Sequence, residues 1–125
     1  TEKDFNLTLK LLKKVKYDQV FAFMYSPRSG TPASTFLDQV PDDIKNKRIN
    51  KLLRLQKLIQ KDQTKKYFKK TYDCLIRLEH GVAVGITDGG KEIYIPNYKY
   101  TNQNYFARVR VEDIRNHKLS GVIKW

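Results

Sequence analysis

Between residues 72 and 124 the sequence breaks into five short runs of strand-forming residues: 72–78, 82–86, 92–95, 105–111 and 118–124. Gly81, Asp88-Gly89-Gly90, Pro96-Asn97 and Arg115-Asn116-His117 separate them. Runs of this length punctuated by turn residues read as strands. In the fourth run Ala107, Val109 and Val111 alternate with Arg108, Arg110 and the following Glu112. A period of two places the small apolar residues on a core and the arginines on the outer face. So many short strands in so small a segment predict a closed antiparallel barrel, because closure removes the edges an open sheet would expose.

The part before the barrel follows other periods. Phe5, Leu9 and Leu12 share one helical face across residues 1–16, with Thr1 and Asp4 at capping-box spacing and lysines towards the end. Phe5, Leu7, Leu9 and Leu11 also fit a strand alternation; the acidic start and basic end decide for helix. Residues 20–25, Val-Phe-Ala-Phe-Met-Tyr, are continuously apolar, as in a strand buried on both faces. The loop Ser26-Pro27-Arg28-Ser29-Gly30-Thr31-Pro32 then breaks the run. Phe36 and Leu37 lie in a short connector with apolar surface to pack, and Pro41-Asp42-Asp43 opens a long helix to about residue 66. Helix, link and buried strand make half of a βαβ unit, whose first strand is absent. The expectation is therefore a chain that continues upstream of Thr1, with residues 20–25 short of strand partners.

The chain of 125 residues carries a net charge of +12, with 13 Lys+Arg against 7 Asp+Glu in residues 1–63 and 12 against 6 in residues 64–125. A basic excess on both halves favours a polyanionic partner such as RNA, although a solvated lysine-rich surface explains the same charge. No apolar run approaches the roughly eighteen residues of a membrane span. One cysteine, Cys74, rules out an internal disulfide and a multi-cysteine metal site within the chain. A cytoplasmic setting is the expectation.

The order of these pieces, and above all Tyr25-Ser26-Pro27-Arg28-Ser29-Gly30-Thr31-Pro32-Ala33 followed by Asp38-Gln39-Val40-Pro41 and a helix with Lys45, Arg48 and Leu52, resembles the carboxyl-terminal third of radical S-adenosylmethionine methylthiotransferases of the MiaB type. Thr1-Glu2-Lys3-Asp4-Phe5 resembles the stretch that follows a Gly-Phe-Pro-Gly motif in that family. Ser29 departs from the family's usual proline. The final segment is similar to a TRAM domain through its strand order, Gly85-Ile86-Thr87-Asp88, Asn116 and Leu119-Ser120-Gly121, with Ile86 where the family often has arginine.

The resemblance implies an α/β fragment of a radical-SAM barrel over residues 1–63, followed over 64–125 by a small all-β, OB-like five-stranded TRAM barrel that binds tRNA. It implies a parent enzyme that methylthiolates a modified adenosine beside the anticodon, using S-adenosylmethionine and two 4Fe–4S clusters. Those clusters need a C-x-x-x-C-x-x-C set and three further cysteines. Cys74 alone supplies neither, so this stretch is expected to bind no cofactor and to be inactive by itself. The partners implied are tRNA and the missing amino-terminal and radical-SAM domains. A non-catalytic RNA-binding module, or a related methylthiotransferase acting on another tRNA adenosine or on a ribosomal protein, remains open.

No catalytic residue is assigned. Arg108 and Arg110 are the candidate phosphate contacts, and Tyr105 and Phe106 the aromatics beside them. Lys69 and Lys70, with Lys65 and Lys66, form a second basic patch. Tyr94, Tyr98 and Tyr100 are further stacking candidates, with barrel packing as the alternative. Arg28, Ser26 and Thr31 form a candidate active-site loop, in which Arg28 either meets a phosphate or carboxylate or binds loop carbonyls. His80 and His117 read as turn residues and Cys74 as a buried hydrophobe.

Overall fold

The computed structural model describes residues 1–125. It comprises two compact units, 1–60 and 61–125.

The first unit begins with helix α1, Glu2–Val15. The capping box expected at its start is present: the Thr1 hydroxyl accepts the Asp4 N–H at 3.2 Å and donates to the Asp4 carboxylate at 2.8 Å. These bonds, the Thr1 hydroxyl first and then the amino terminus, hold the Asp4 carboxyl below its ordinary pKa. Lys16 closes the helix in the left-handed conformation, φ 56°, its N–H returning to the Leu12 carbonyl. Leu9 and Leu12 are buried.

Helix α2, Asp42–Lys65, begins with two acidic residues that complement its dipole. Ile44, Ile49, Leu52, Leu55 and Ile59 lie half-buried along one side, whereas Leu53 and Leu58 are exposed. Arg48 joins the two helices: Nε and Nη2 both reach one carboxylate oxygen of Glu2, at 3.2 and 3.0 Å, and the guanidinium lies over the Phe5 ring.

Two sequence expectations fail here. Residues 20–25 form no strand, and Phe21 and Phe23 are 78% and 87% exposed. A strand exists by pairing, and nothing in this unit offers a second edge. The first unit is therefore helices and loops rather than an α/β piece. Phe36 and Leu37 are also exposed rather than packed.

The second unit is a barrel. After the last turn of α2, Lys69 N–H bonds the Val111 carbonyl, and Val111 N–H bonds the Lys70 carbonyl, both at 2.9 Å. Five strands follow: β1 Thr71–Glu79, β2 Val82–Thr87, β3 Glu92–Ile95, β4 Tyr105–Arg115 and β5 Lys118–Lys124. They close in the order β1-β2-β3-β5-β4, antiparallel throughout except for the β3–β5 pair. A closed five-stranded barrel is the architecture the strand pattern predicted. β3 and β5 fall where the sequence placed them, while β4 runs four residues beyond Val111, past a register shift between Val111 and Asp113.

Alternation fills the barrel. Cys74, Ile76, Ala83, Ile93, Ile95, Val109, Val111 and Leu119 form its buried core. Two glycines permit close approach. A Cβ at Gly85 would stand 3.1 Å from the Cys74 Cβ and 3.2 Å from Val109 Cγ2, and one at Gly121 would collide with the Arg110 carbonyl oxygen. Hairpin β1–β2 turns on His80 and Gly81, and β4–β5 on Asn116 and His117, each pair at positive φ. Two consecutive positive φ values are those of tight type I′ turns, whose twist matches the flanking strands. Both histidines thus act as turn residues. Burial pushes the Cys74 thiol up to about 11, consistent with its reading as a small core residue.

Candidate nucleic-acid interface

The alternation of β4 divides the predicted barrel residues between two faces. Val109 and Val111 are fully buried, so Phe106, Arg108 and Arg110 project from the opposite, outer side. Arg108 is exposed and faces Asp73 of β1 and Lys124 of β5 in register. Its guanidinium has no hydrogen bond or ion pair within the chain. Arg110 is half-buried opposite Thr71 and Val122, with Nε 3.4 Å from a Glu112 carboxylate oxygen. Phe106 is 80% exposed. Lys69 and Lys70 stand directly before β1, exposed, with Lys69 Nζ over the Phe68 ring at 5.6 Å. Their backbone pairing with Val111 puts them next to Arg110. Arg108, Arg110, Lys69 and Lys70 therefore gather at adjoining backbone positions.

Tyr105 is separated from this group. It belongs to the inward register, packs against the core, and its hydroxyl lies 2.7 Å from that of Tyr98. Tyr98 Oη in turn donates to the Asn102 carbonyl at 2.6 Å. Since that bond uses the Tyr98 proton, Tyr105 donates to Tyr98, and its own lone pairs stay open. Burial and then the Tyr98 bond push the Tyr105 hydroxyl up to about 12.

Tyr98, Tyr100 and Trp125 form a wall of rings at the end of the barrel where β5 finishes. The Tyr98–Tyr100 centroids are 5.5 Å apart at 70°, and Tyr100–Trp125 6.1 Å apart at 87°. A cleft of about 560 Å³ lies between this wall, Asn102 and Tyr105. A smaller one of about 240 Å³ touches the same three rings together with Ile95, Asn97, Lys99, Val122 and Ile123. The sequence pointed to Tyr98 and Tyr100 but not to Trp125, the chain's single tryptophan, or Asn102. Tyr94 lies under Lys118 Nζ, 5.9 Å from its ring centroid.

In the first unit the loop at 26–32 is ordered by its own backbone. Thr31 N–H and its hydroxyl both bond the Arg28 carbonyl, at 3.3 and 2.7 Å, and Gly30 takes φ 82°. This is the geometry of a type II turn, with Ser29 where proline is favoured and Gly30 where glycine is required. The carbonyl of Arg28 holds the loop; its guanidinium, like the Ser26 hydroxyl, is exposed and unpaired. Lys45 ties down the end of residues 20–25 by bonding the Tyr25 carbonyl at 3.2 Å, with Nζ also 5.5 Å from that ring's centroid. The mainly apolar cleft beside it, about 650 Å³, is lined by Phe21, Phe23, Phe36, Ile49 and Leu52 among others. No group of three or more His, Cys, Asp or Glu side chains is placed to hold a metal ion. No helix is long and apolar enough to cross a membrane.

No family model matches the chain. Comparison with characterised proteins is more informative. The chain is 49% identical over 125 residues to the tRNA-2-methylthio-N(6)-dimethylallyladenosine synthase of Clostridium botulinum (strain Langeland / NCTC 10281 / Type F), which covers 97% of this chain and 28% of that protein. It is 46% identical over 92 residues to the synthase of the same name from Aquifex aeolicus (strain VF5), covering 73% of this chain and 21% of that protein. With the synthase of Wolbachia pipientis wMel it shares 57% identity over 63 residues, half of this chain and 14% of that one. The chain thus spans less than a third of the length of these relatives. Over nearly its whole length, the chain is thus similar to part of these methylthiotransferases.

Proposed function

We propose that this chain is the tRNA-docking and barrel-completing part of a tRNA methylthiotransferase whose other domains carry the chemistry. The observation that carries this reading is the 49% identity over almost the whole chain to a tRNA-2-methylthio-N(6)-dimethylallyladenosine synthase. On this reading residues 64–125 are a TRAM barrel and residues 1–63 the last pieces of a radical-SAM barrel, acting in the cytoplasm.

The first unit supports its share through what it leaves uncovered. Of 17 large hydrophobic residues that are exposed, 12 lie in residues 1–60, Phe21, Phe23 and Leu37 foremost. Phe21, Phe23, Met24, Tyr25 and Phe36 line one cleft, and exposed apolar surface gathered in this way favours a contact with a further segment. A preceding strand laid beside residues 20–25 would pair their backbone and cover both rings. The 26–32 loop would then leave the end of a barrel strand, where parallel barrels carry their ligands, with Ser26, Arg28 and Thr31 at the mouth. On this reading the S-adenosylmethionine and the iron–sulfur clusters of the parent enzyme are held by its other domains, since this chain has a single cysteine.

The barrel supports its share through charge. Arg108, Arg110, Lys69 and Lys70 present cations on adjoining positions, and Phe106 offers an exposed ring beside them. Guanidinium groups pair with phosphate oxygens and an aromatic face stacks on an unpaired base. Tyr105, on the core side, serves by packing.

Gel-shift titration of the chain with bulk tRNA at low salt tests this. The Arg108→Ala, Arg110→Ala double variant is expected to bind at least tenfold more weakly, while Lys13→Ala, Lys14→Ala, with the same charge change on α1, binds as the parent does. Equal weakening by both pairs would reduce the arginine face to bulk charge, and no binding at all would remove the docking role.

A further inference from the structure

In the ring wall at the end of the barrel Tyr98 packs against the core, whereas Tyr100 and Trp125 take no part in it. Tyr100 and Trp125 are 58% and 84% exposed, yet two edge-to-face contacts hold them in place. Concavities lie on both sides of the wall, about 560 and about 240 Å³, both bounded by Tyr98, Tyr100 and Trp125. The larger falls within the range of small-molecule sites. The loop that carries the tyrosines is fixed. Leu78 N–H bonds Gln103 Oε1 at 3.3 Å, Asn104 N–H bonds the Ile76 carbonyl at 2.7 Å, and Tyr98 Oη bonds the Asn102 carbonyl. A preformed wall spares a ligand the ordering cost that a mobile one would impose.

We infer that this wall is a nucleobase pocket, in which an unpaired base of the bound RNA stacks on Tyr100 or Trp125 with its polar edge towards Tyr105 Oη and the Asn102 side chain. The inference rests on the RNA-binding reading above and adds a site to it. Three features select a base over other flat apolar groups. The larger cleft pairs open ring faces with polar atoms, because Tyr105 keeps acceptor lone pairs and the Asn102 amide is unpaired within the chain. No acidic residue lines either concavity, and Lys99 lines the smaller. The wall also adjoins the phosphate face: Trp125 follows Lys124, which pairs in register with Arg108, and exposed Phe106 is the next outward residue on β4 towards the same end. Stacking of this kind tolerates any base, so affinity comes from the rings and selectivity from the polar edge.

Trp125 is the only tryptophan, so its emission reports the pocket directly. The chain is titrated with a single-stranded RNA about ten nucleotides long, within the site size of one such barrel, and with an abasic oligomer of equal phosphate count. The base-bearing RNA is expected to quench Trp125 emission saturably and the abasic one to leave it unchanged. Anisotropy of labelled RNA is expected to show roughly tenfold weaker binding for Tyr100→Ala and for Trp125→Ala. Both residues are largely exposed, and a circular-dichroism melt checks that the variants stay folded. Binding that depends on Arg108 and Arg110 but leaves Trp125 emission and the Tyr100→Ala affinity unchanged would overturn the pocket and spare the RNA reading. Equal quenching by the abasic oligomer would do the same. Failure of both oligomers to bind at low salt would overturn the pocket and the RNA reading together.

Discussion

Individual residues decide whether the barrel can close. Gly121 sits beside the β4 bulge with the Arg110 carbonyl where a Cβ would stand. Backbone cannot yield as a flexible side chain can, so Gly121→Ala is expected to destabilise the barrel by about 3 kcal/mol, the upper end of overpacking costs. Chemical denaturation measures this, and a loss below about 1 kcal/mol would show that the two strands can part. Cys74 and Tyr105 give the barrel a pH dependence. Both folded pKa values are raised, to about 11 and about 12. Groups raised on folding add stability that is intact below their unfolded values and is lost as pH rises through the folded ones. Denaturation midpoints should therefore hold up to about pH 9 and fall between about 9 and 12, with a shallower fall in Tyr105→Phe. A fall centred near pH 7 would contradict this origin. The two faces of β4 were legible in the sequence because alternation is a local property. The same alternation carried back one step places Tyr105 on the core side, away from Arg108. Asn102 was not legible, since the loop at 96–104 has no period and its shape comes from bonds to β1, nor was Trp125, whose ring contact is with Tyr100 of that loop.

Elements differ in how far they depend on sequence that lies elsewhere. The helices were readable from their own periods and caps, and β3 and β5 from their turns. The end of β4 was not, because the shift at Val111/Asp113 breaks the alternation while pairing with β5 continues. Residues 20–25 show the opposite case. Their composition is that of a buried strand, but pairing needs a second strand, and only the Lys45 bond to the Tyr25 carbonyl ties the end of the run down. Hydrogen exchange of amides 20–25 is expected near the rate of unstructured chain in this protein and slowed at least a hundredfold in a full-length relative. Strong protection in the 125-residue chain would contradict the absence of a partner strand. The turn that follows has room for improvement. Ser29→Pro places proline at a position type II turns favour and is expected to stabilise the first unit by about 0.4–1 kcal/mol, read from its melting temperature.

At the scale of the whole molecule, part of the charge of +12 gathers on the barrel. Cations on β4, on the end of β5 and before β1 adjoin one another, and the ring wall stands at the barrel end where Lys124 meets Arg108. The proposed docking role assigns this face to RNA binding, and the chain spans 28% of its Clostridium relative. The most direct test of RNA docking is the salt dependence of tRNA binding. The logarithm of the association constant should fall linearly with the logarithm of salt concentration, by about 0.7–0.9 for each phosphate neutralised. Arg108→Ala, Arg110→Ala should lower that slope by about 1.4–1.8, the share of two phosphate contacts. An unchanged slope in the double variant, or a parent slope near zero, would contradict the assignment of this face to the tRNA backbone.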